Sequence, residues 1–391
     1  MEPNPIIMLT AKRNKFTLPP SIAYLNCAYM SPMLKSVEKA GIRGLRKKRN
    51  PAVISTDDFF ADTELLRTAF ARLIHAAEPR RIVIIPSVSY GMANVVKNLP
   101  IQRGEHIIVA AEQFPSNYYP WKTLCDETGA GVNVISPPDE FVNRGKVWNE
   151  RILEAITPKT RAVAIGHVHW ADGTRFDLEA IRKRTTDVGA LLIIDGTQSV
   201  GALPFNVQTI RPDALICAGY KWLLGPYSIG LAYYGEYFSN GKPVEENWIN
   251  RQHSENFAGL VNYQNAYQPG ALRYEVGEHS NFILVPMLLK AIQQLNNWGT
   301  ERIQEYCRQL STPAIESLKV MGYRIEDENW RGSHLFGIRL PDGVGMEKVK
   351  HALLKNKVFV SYRGNAVRVA PNVYNTVTDM NKLTKALTKI R

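Results

Sequence analysis

Apolar residues along this chain follow two rhythms. Short unbroken runs occur at residues 82–85, 107–110, 162–165, 191–194 and 214–217, and each ends in small, polar or charged residues. Runs of this kind predict strands buried on both faces, as in a parallel sheet covered by helices. Between them the apolar positions recur at steps of three and four. Phe59, Phe60, Leu65, Leu66, Phe70, Leu73 and Ile74 mark a helix over 58–77, Met92, Val95 and Val96 mark another, and residues 178–188 a third. A stretch around Met33, Val37, Ala40 and Leu45 is read as an amphipathic helix ending in the basic run Arg46-Lys47-Lys48-Arg49.

From about Ile283 the pattern changes. Helices are expected near 283–297, 301–320, 346–354 and 379–390, interleaved with strands at 335–340, 358–360 and 367–370, which make a smaller α/β unit. Residues 1–20 are proline-rich and without periodicity. The polar, aromatic-bearing stretch 247–268 is too long for a plain connection and is expected to be an active-site loop.

With 391 residues, of which 45% are hydrophobic and 21% charged, the chain can bury a large core and is long enough for two domains. Its first ten residues lack a positive region followed by an apolar core, and no apolar run approaches the ~18 residues of a membrane span. A cytoplasmic protein with no membrane partner is expected. Cys27, Cys125, Cys217 and Cys307 are too dispersed for a disulfide framework or a CxxC motif. The formal charge of +12 raises the possibility of nucleic acid. The basic run 46–49, however, is read as the solvated C-terminal end of a helix, where the dipole favours cations, and no nucleic-acid partner is expected. Part of the surplus charge suits anionic small ligands instead.

The chemistry concentrates between residues 191 and 234. Leu-Leu-Ile-Ile-Asp-Gly-Thr-Gln-Ser-Val-Gly, starting at Leu191, delivers Asp195 to the carboxyl end of a strand. Ala-Gly-Tyr-Lys-Trp-Leu-Leu-Gly-Pro-Tyr-Ser-Ile-Gly, starting at Ala218, follows the next strand and carries Lys221. Ligands of open α/β sheets bind at that edge. A solitary Asp there would read as a helix cap, and a solitary Lys as a surface residue. Together they fit pyridoxal phosphate, with the lysine forming a Schiff base and the acid keeping the pyridine nitrogen protonated. The strand at 82–85 feeds Pro86-Ser87-Val88-Ser89-Tyr90-Gly91 into a helix N-terminus, a place suited to a phosphate. His167 and His169 lack companion ligands, and no metal site is expected.

The block from Asp195 to Gly230, and more loosely the chain from Tyr24 to its end, resembles the aminotransferase class V family of pyridoxal-phosphate enzymes, which includes cysteine desulfurases, kynureninases and isopenicillin N epimerase-like proteins. The resemblance implies an α/β fold of type I, aspartate-aminotransferase-like, with a large mostly parallel sheet domain and a smaller C-terminal α/β domain. The expected division is an N-terminal arm (1–30) joining the small domain, a cofactor domain (31–280) and the small domain (281–391). It implies a homodimer acting on a small-molecule amino-acid substrate.

It also implies roles for individual residues. Ser89, Tyr90 and Tyr220 match phosphate positions, and Phe114 matches the ring set against the pyridine face. Trp170 takes a position where many desulfurases carry Asn, leaving Gln198 as the candidate near the phenolic oxygen. Ser280 and Asn281 match positions that hold the partner subunit's phosphate. Arg368, in Asn365-Ala-Val-Arg-Val-Ala-Pro-Asn-Val-Tyr-Asn, matches the arginine that binds the substrate α-carboxylate, and Asn26, in the opening motif Tyr24-Leu-Asn-Cys-Ala, borders the substrate. Lys221 would serve as acid and base at Cα. Residues 361–366 hold no cysteine where a desulfurase needs its nucleophile, so an aminotransferase is expected, with an isopenicillin N epimerase-like epimerase or a kynureninase-like lyase as the alternatives and, behind them, a non-enzymatic nucleic-acid-binding relative that keeps the fold.

Overall fold

A computed structural model describes residues 8–390; residues 1–7, and with them most of the segment read above for a leader, lie outside the described residues. In chain order the main elements are β1 (Ala23–Tyr24), α1 (Lys35–Lys47), α2 (Ala61–Leu73), β2 (Ile82–Ile85), α3 (Val88–Lys97), β3 (His106–Ala110), α4 (Tyr119–Thr128), β4 (Gly131–Ile135), α5 (Arg144–Ala155), β5 (Thr160–Gly166), α6 (Leu178–Val188), β6 (Leu191–Asp195), α7 (Val207–Ile210), β7 (Ala214–Ala218) and β8 (Gly230–Tyr234). They continue with α8 (Leu284–Trp298), α9 (Thr300–Val320), β9 (Phe336–Arg339), α10 (Met346–Lys355), β10 (Val358–Phe359), β11 (Ser361–Arg363), β12 (Ala366–Val369) and α11 (Val377–Thr388). Among the described residues no helix is long and apolar enough to cross a membrane.

Seven strands form the main sheet in the order β2-β8-β7-β6-β5-β3-β4. Six of them point the same way, and β8 alone runs antiparallel to both its neighbours. Strands β2, β6 and β7 are buried along their whole length, as their unbroken apolar runs require. Helix α6 spans the predicted 178–188 because both ends are signalled: the Asp177 side chain accepts the Ala180 N–H, and Gly189 closes the helix in the left-handed region. The second sheet, β11-β12-β9, is antiparallel and shares an apolar core with α9, α10 and α11. The chain's beginning is tied to this end, since β1 pairs in parallel with β10 and the Lys12 N–H donates to the Val373 carbonyl.

The amphipathic stretch at α1 needs correction. Met33 and Leu45, read as core, are exposed, and so is Leu65 of α2. The face that α1 buries consists of Val37, Ala40, Gly41 and Gly44. Any side chain at Gly44 would collide with the Phe282 carbonyl, so glycine lets α1 approach the start of α8. Lys47, from the basic run, forms an ion pair with Asp58. Strand β4 and helices α4 and α5 carried no clear apolar rhythm; β4 is an edge strand lacking any buried residue.

Candidate active site

Strands β6 and β7 are neighbours in register, with Asp195 opposite Ile216, so their carboxyl ends open side by side. Asp195 ends β6, and three residues after β7 the chain reaches Lys221. Gly196 makes this closeness possible: a Cβ there would lie 2.7 Å from the Cys217 sulfur. Asp195 and Lys221 are only 8% and 7% exposed and line one cavity of about 310 Å³. Ser87, Ser89, Phe114, Ser116, Trp170, Thr197, Gln198, Tyr220, Tyr227 and Ser228 also line it.

Burial pushes Lys221 down to about 8, opposed by the Asp195 charge and helped by Arg368 and Arg363. Its nitrogen has no hydrogen-bond partner among the described residues and lies 5.2 Å from the centre of the Phe114 ring. Burial raises the pKa of Asp195, against hydrogen bonding from Thr197 and the charge of Lys221. The Thr197 N–H donates to Asp195 Oδ1 at 3.0 Å, leaving further lone pairs for a ring N–H.

At the other end of the cavity, α3 begins with its first-turn N–H groups beside Ser87 and Ser89. Ser87 caps the helix by accepting the Tyr90 N–H at 3.2 Å, and its hydroxyl meets that of Ser89 at 2.9 Å. Hydroxyls and helix N–H groups at one end, and a lysine and a buried carboxylate at the other, fit a phosphorylated pyridine aldehyde.

The remaining candidates divide. Tyr90 turns away: its phenol donates to Glu245 at 3.1 Å. Gln198 donates to the Ala28 carbonyl and accepts the Trp222 indole N–H, so one amide N–H is left for a ligand. The Trp170 indole donates to the Glu112 carbonyl and meets Phe114 edge to face at 5.3 Å. Ser280 donates to the Phe59 carbonyl, and Asn281 Oδ1 accepts the Ile283 and Leu284 N–H groups at the start of α8; neither reaches this cavity within the chain.

Arg368 is 1% exposed, donates to the Trp170 carbonyl at 2.7 Å and to Ser361 Oγ at 3.3 Å, and keeps its Nε without a partner. Burial pushes it down to about 9, so it remains charged at neutral pH. Asn26 accepts the Ser361 hydroxyl at 2.7 Å and so belongs to the shell that holds Arg368. His169 bonds the Ala111 carbonyl, and His167 packs on Phe205.

Sequence reasoning missed Thr197, Ser116, Tyr227 and Ser228 as cavity residues. Ser228 holds a left-handed backbone (φ 65°), which no local residue pattern announces. A wider groove of about 970 Å³ runs past His75, Arg175, Phe205 and Trp330, but it has no lysine and no strand-end carboxylate.

The chain is 28% identical over 319 residues, 81% of either chain, to an uncharacterized aminotransferase of Bacillus subtilis, YcbU. A cysteine desulfurase of Cronobacter sakazakii is 28% identical over 186 residues, 47% of this chain and 45% of that one. Among solved structures, the cysteine desulfurase CsdA of Escherichia coli superposes with a TM-score of 0.81 at 21% identity, covering 97% of both chains. The cystine C-S lyase C-DES does so with a TM-score of 0.82 at 17% identity, over 94% of this chain and 98% of that one. These likenesses establish the type I fold, with its large mostly parallel sheet and smaller second unit. The sequence model of the aminotransferase class-V family matches residues 55–386, and the chain belongs to that family of pyridoxal-phosphate-dependent enzymes.

Proposed function

We propose that this protein is an aminotransferase that uses pyridoxal phosphate and Lys221 to act on an amino acid. The observation that carries the reading is the unpaired, buried Lys221 facing the same cavity as the buried Asp195. When bound, pyridoxal phosphate supplies an aldehyde carbon and an electron-withdrawing ring that stabilises negative charge at the substrate Cα. Lys221 Nζ, deprotonated more readily than an ordinary lysine, would hold the cofactor's aldehyde carbon and would carry the proton to and from the substrate Cα. Asp195 holds the proton on the ring nitrogen. Ser87, Ser89 and the N–H groups opening α3 bind the phosphate, together with Tyr220. Phe114 would pack against the ring, and Trp170, edge to face with Phe114, would border the site on the side of the small sheet. Arg368, which borders the cavity through the Trp170 carbonyl it holds and keeps a buried Nε unpaired, would orient the substrate through its α-carboxylate.

Desulfurase chemistry is disfavoured by the hairpin that joins β11 to β12, where Gly364 and Asn365 make a tight turn without a thiol. The four cysteines are buried, and burial pushes Cys27 up to about 12 and Cys217 well above the usual thiol range.

The division 1–30, 31–280 and 281–391 is part of this reading, with α8 as the bridge because it packs on α1, α2 and α9. So are a cytoplasmic location, in keeping with four free thiols, and a homodimer in which Ser280 and Asn281 serve the partner's phosphate site.

Borohydride reduction of the cofactor-loaded protein followed by peptide mapping should attach the cofactor to Lys221 alone. Lys221→Ala should fold normally yet lack the visible absorption band, and an amino-acid panel on the wild type should yield the matching 2-oxo acid. Attachment at another lysine, or an unchanged band in Lys221→Ala, would remove the assignment.

A further inference from the structure

The hairpin that carries Arg368 carries a second arginine on the same face. In the register of β11 against β12, Ser361 lies opposite Arg368 and Arg363 opposite Ala366. Side chains two apart along a strand share a face, so Ser361, Arg363 and Arg368 point to one side, with Arg363 diagonal to Arg368 at roughly 7 to 8 Å between the strand positions. That side meets Trp170, which lines the cavity, although neither arginine lines it directly. Arg368 donates to the Trp170 carbonyl, and the Arg363 guanidinium stands 5.2 Å from the centre of the Trp170 ring, which lines the cavity.

Among the described residues neither arginine has an acidic partner. Arg363 donates only to the adjacent Tyr362 carbonyl at 2.7 Å, and its buried Nε is unsatisfied, like that of Arg368. Elsewhere in the same small sheet the usual remedy is in place: Arg339 of β9 reaches Asp172 at 3.3 Å and Asn365 at 2.6 Å. The Arg363 and Arg368 charges act on one another and on Lys221, and among the described residues Asp195 is the one carboxylate lining the cavity. Two half-satisfied guanidiniums on one face, each with donors to spare, have room to pair with two anionic groups.

We propose that Arg363 binds a second carboxylate on the substrate, so that the site takes amino acids of the dicarboxylic class, with Arg368 on the α-carboxylate and Arg363 on the distal one. The inference rests on the reading of Arg368 given above. Stacking on Trp170 holds the planar fork of Arg363 ready while leaving its outer N–H groups free, a geometry that lysine would not supply.

Equilibrium binding of unreactive acids to the cofactor-loaded protein tests it without turnover. Calorimetric titration with succinate and glutarate, and with propionate and butyrate, should show wild type preferring the diacids. Arg363→Ala should weaken diacid binding by about ten- to a hundredfold, as expected for a lost charge-assisted pair at a half-buried site, and leave the monoacids within about twofold. Arg368→Ala should weaken both kinds. Arg363→Glu should abolish the diacid preference, and the unchanged visible band of the cofactor would report an intact site.

Equal losses for diacids and monoacids in Arg363→Ala would overturn the proposal, and so would a wild type that binds both kinds alike. Tighter binding of analogues with a distal sulfonate or phosphonate would overturn the carboxylate assignment. If Arg368→Ala changed neither kind, the Arg368 reading would fall instead.

Discussion

An ordinary lysine, with a pKa near 10.4, is almost wholly protonated at neutral pH and is a poor nucleophile. Lys221 is displaced to about 8 because burial disfavours its charge, and Arg368 and Arg363 push the same way while Asp195 opposes them. The reactive form is the neutral amine. Cofactor uptake by the cofactor-free protein should therefore accelerate as pH rises and level off above about 8. Asp195→Asn removes the one charge that raises the lysine's pKa, so its profile should move to lower pH. Stopped-flow mixing with pyridoxal phosphate across pH 6 to 10 reads both; a profile still rising at pH 10, or an upward move in Asp195→Asn, would contradict the assignment of the amine. At this scale the sequence was partly legible. Asp195 and Lys221 stood out because a charge at the end of an apolar run is chemically pointed. Thr197 and Ser228 did not, because small hydroxylated residues are common and their value lies in backbone position. Arg363 was invisible for the same kind of reason: one arginine in a short strand means nothing until register puts it diagonal to another.

Elements were legible where burial was complete or an end was capped. The apolar runs at 191–194 and 214–217 became β6 and β7 because the interior of strands buried on both faces has little room for polar residues. Helix α1 was misread in its buried face because that face is half glycine, and glycine contributes closeness without any hydropathic signal. The edge strand β2 shows a device beyond the reach of pattern. Its Ile84 N–H, on the side away from β8, donates to Glu275 Oε1 at 2.9 Å, which closes an otherwise open edge. The other oxygen of Glu275 meets Arg67 of α2 at 2.6 Å, and both side chains are 2% exposed. Burial alone would raise the pKa of Glu275, but Arg67, His279 and the Ile84 N–H outweigh it and hold the carboxylate below its ordinary range. Glu275→Gln keeps the shape but removes the buried counter-charge of Arg67, leaving it only the exposed Glu64 of its own helix, so it should destabilise the fold by about 3 kcal/mol, the low end for a broken buried pair. Urea unfolding followed by tryptophan fluorescence should show the transition moving to lower denaturant, and an unmoved transition would mean that the pair is not buried in solution.

On the scale of the molecule, the irregular stretch after β8 is where the single chain looks incomplete. Val261 and Tyr263 are 79% and 93% exposed, Phe257 and Leu260 are partly exposed nearby in sequence, and Tyr29, Met30 and Tyr227 are exposed beside Tyr220. Apolar side chains gathered on a surface loop and at the mouth of a site are expected where another chain covers them. Ser280 and Asn281, placed beyond reach of this chain's own cavity, fit the same arrangement, because the resemblance assigns them to the partner's phosphate. In the proposed homodimer the cofactor site is therefore finished by the second copy, and assembly and cofactor retention are linked. Sedimentation equilibrium of the loaded protein should give twice the 44.0 kDa chain mass. The double variant Val261→Asp with Tyr263→Asp places two desolvated charges in the interface and should shift the protein to monomer, with cofactor retained at least about tenfold more weakly. A fully monomeric wild type that holds its cofactor, or a monomeric double variant with undiminished cofactor affinity, would show that each chain builds its site alone, and the role given to Ser280 and Asn281 would have to be withdrawn.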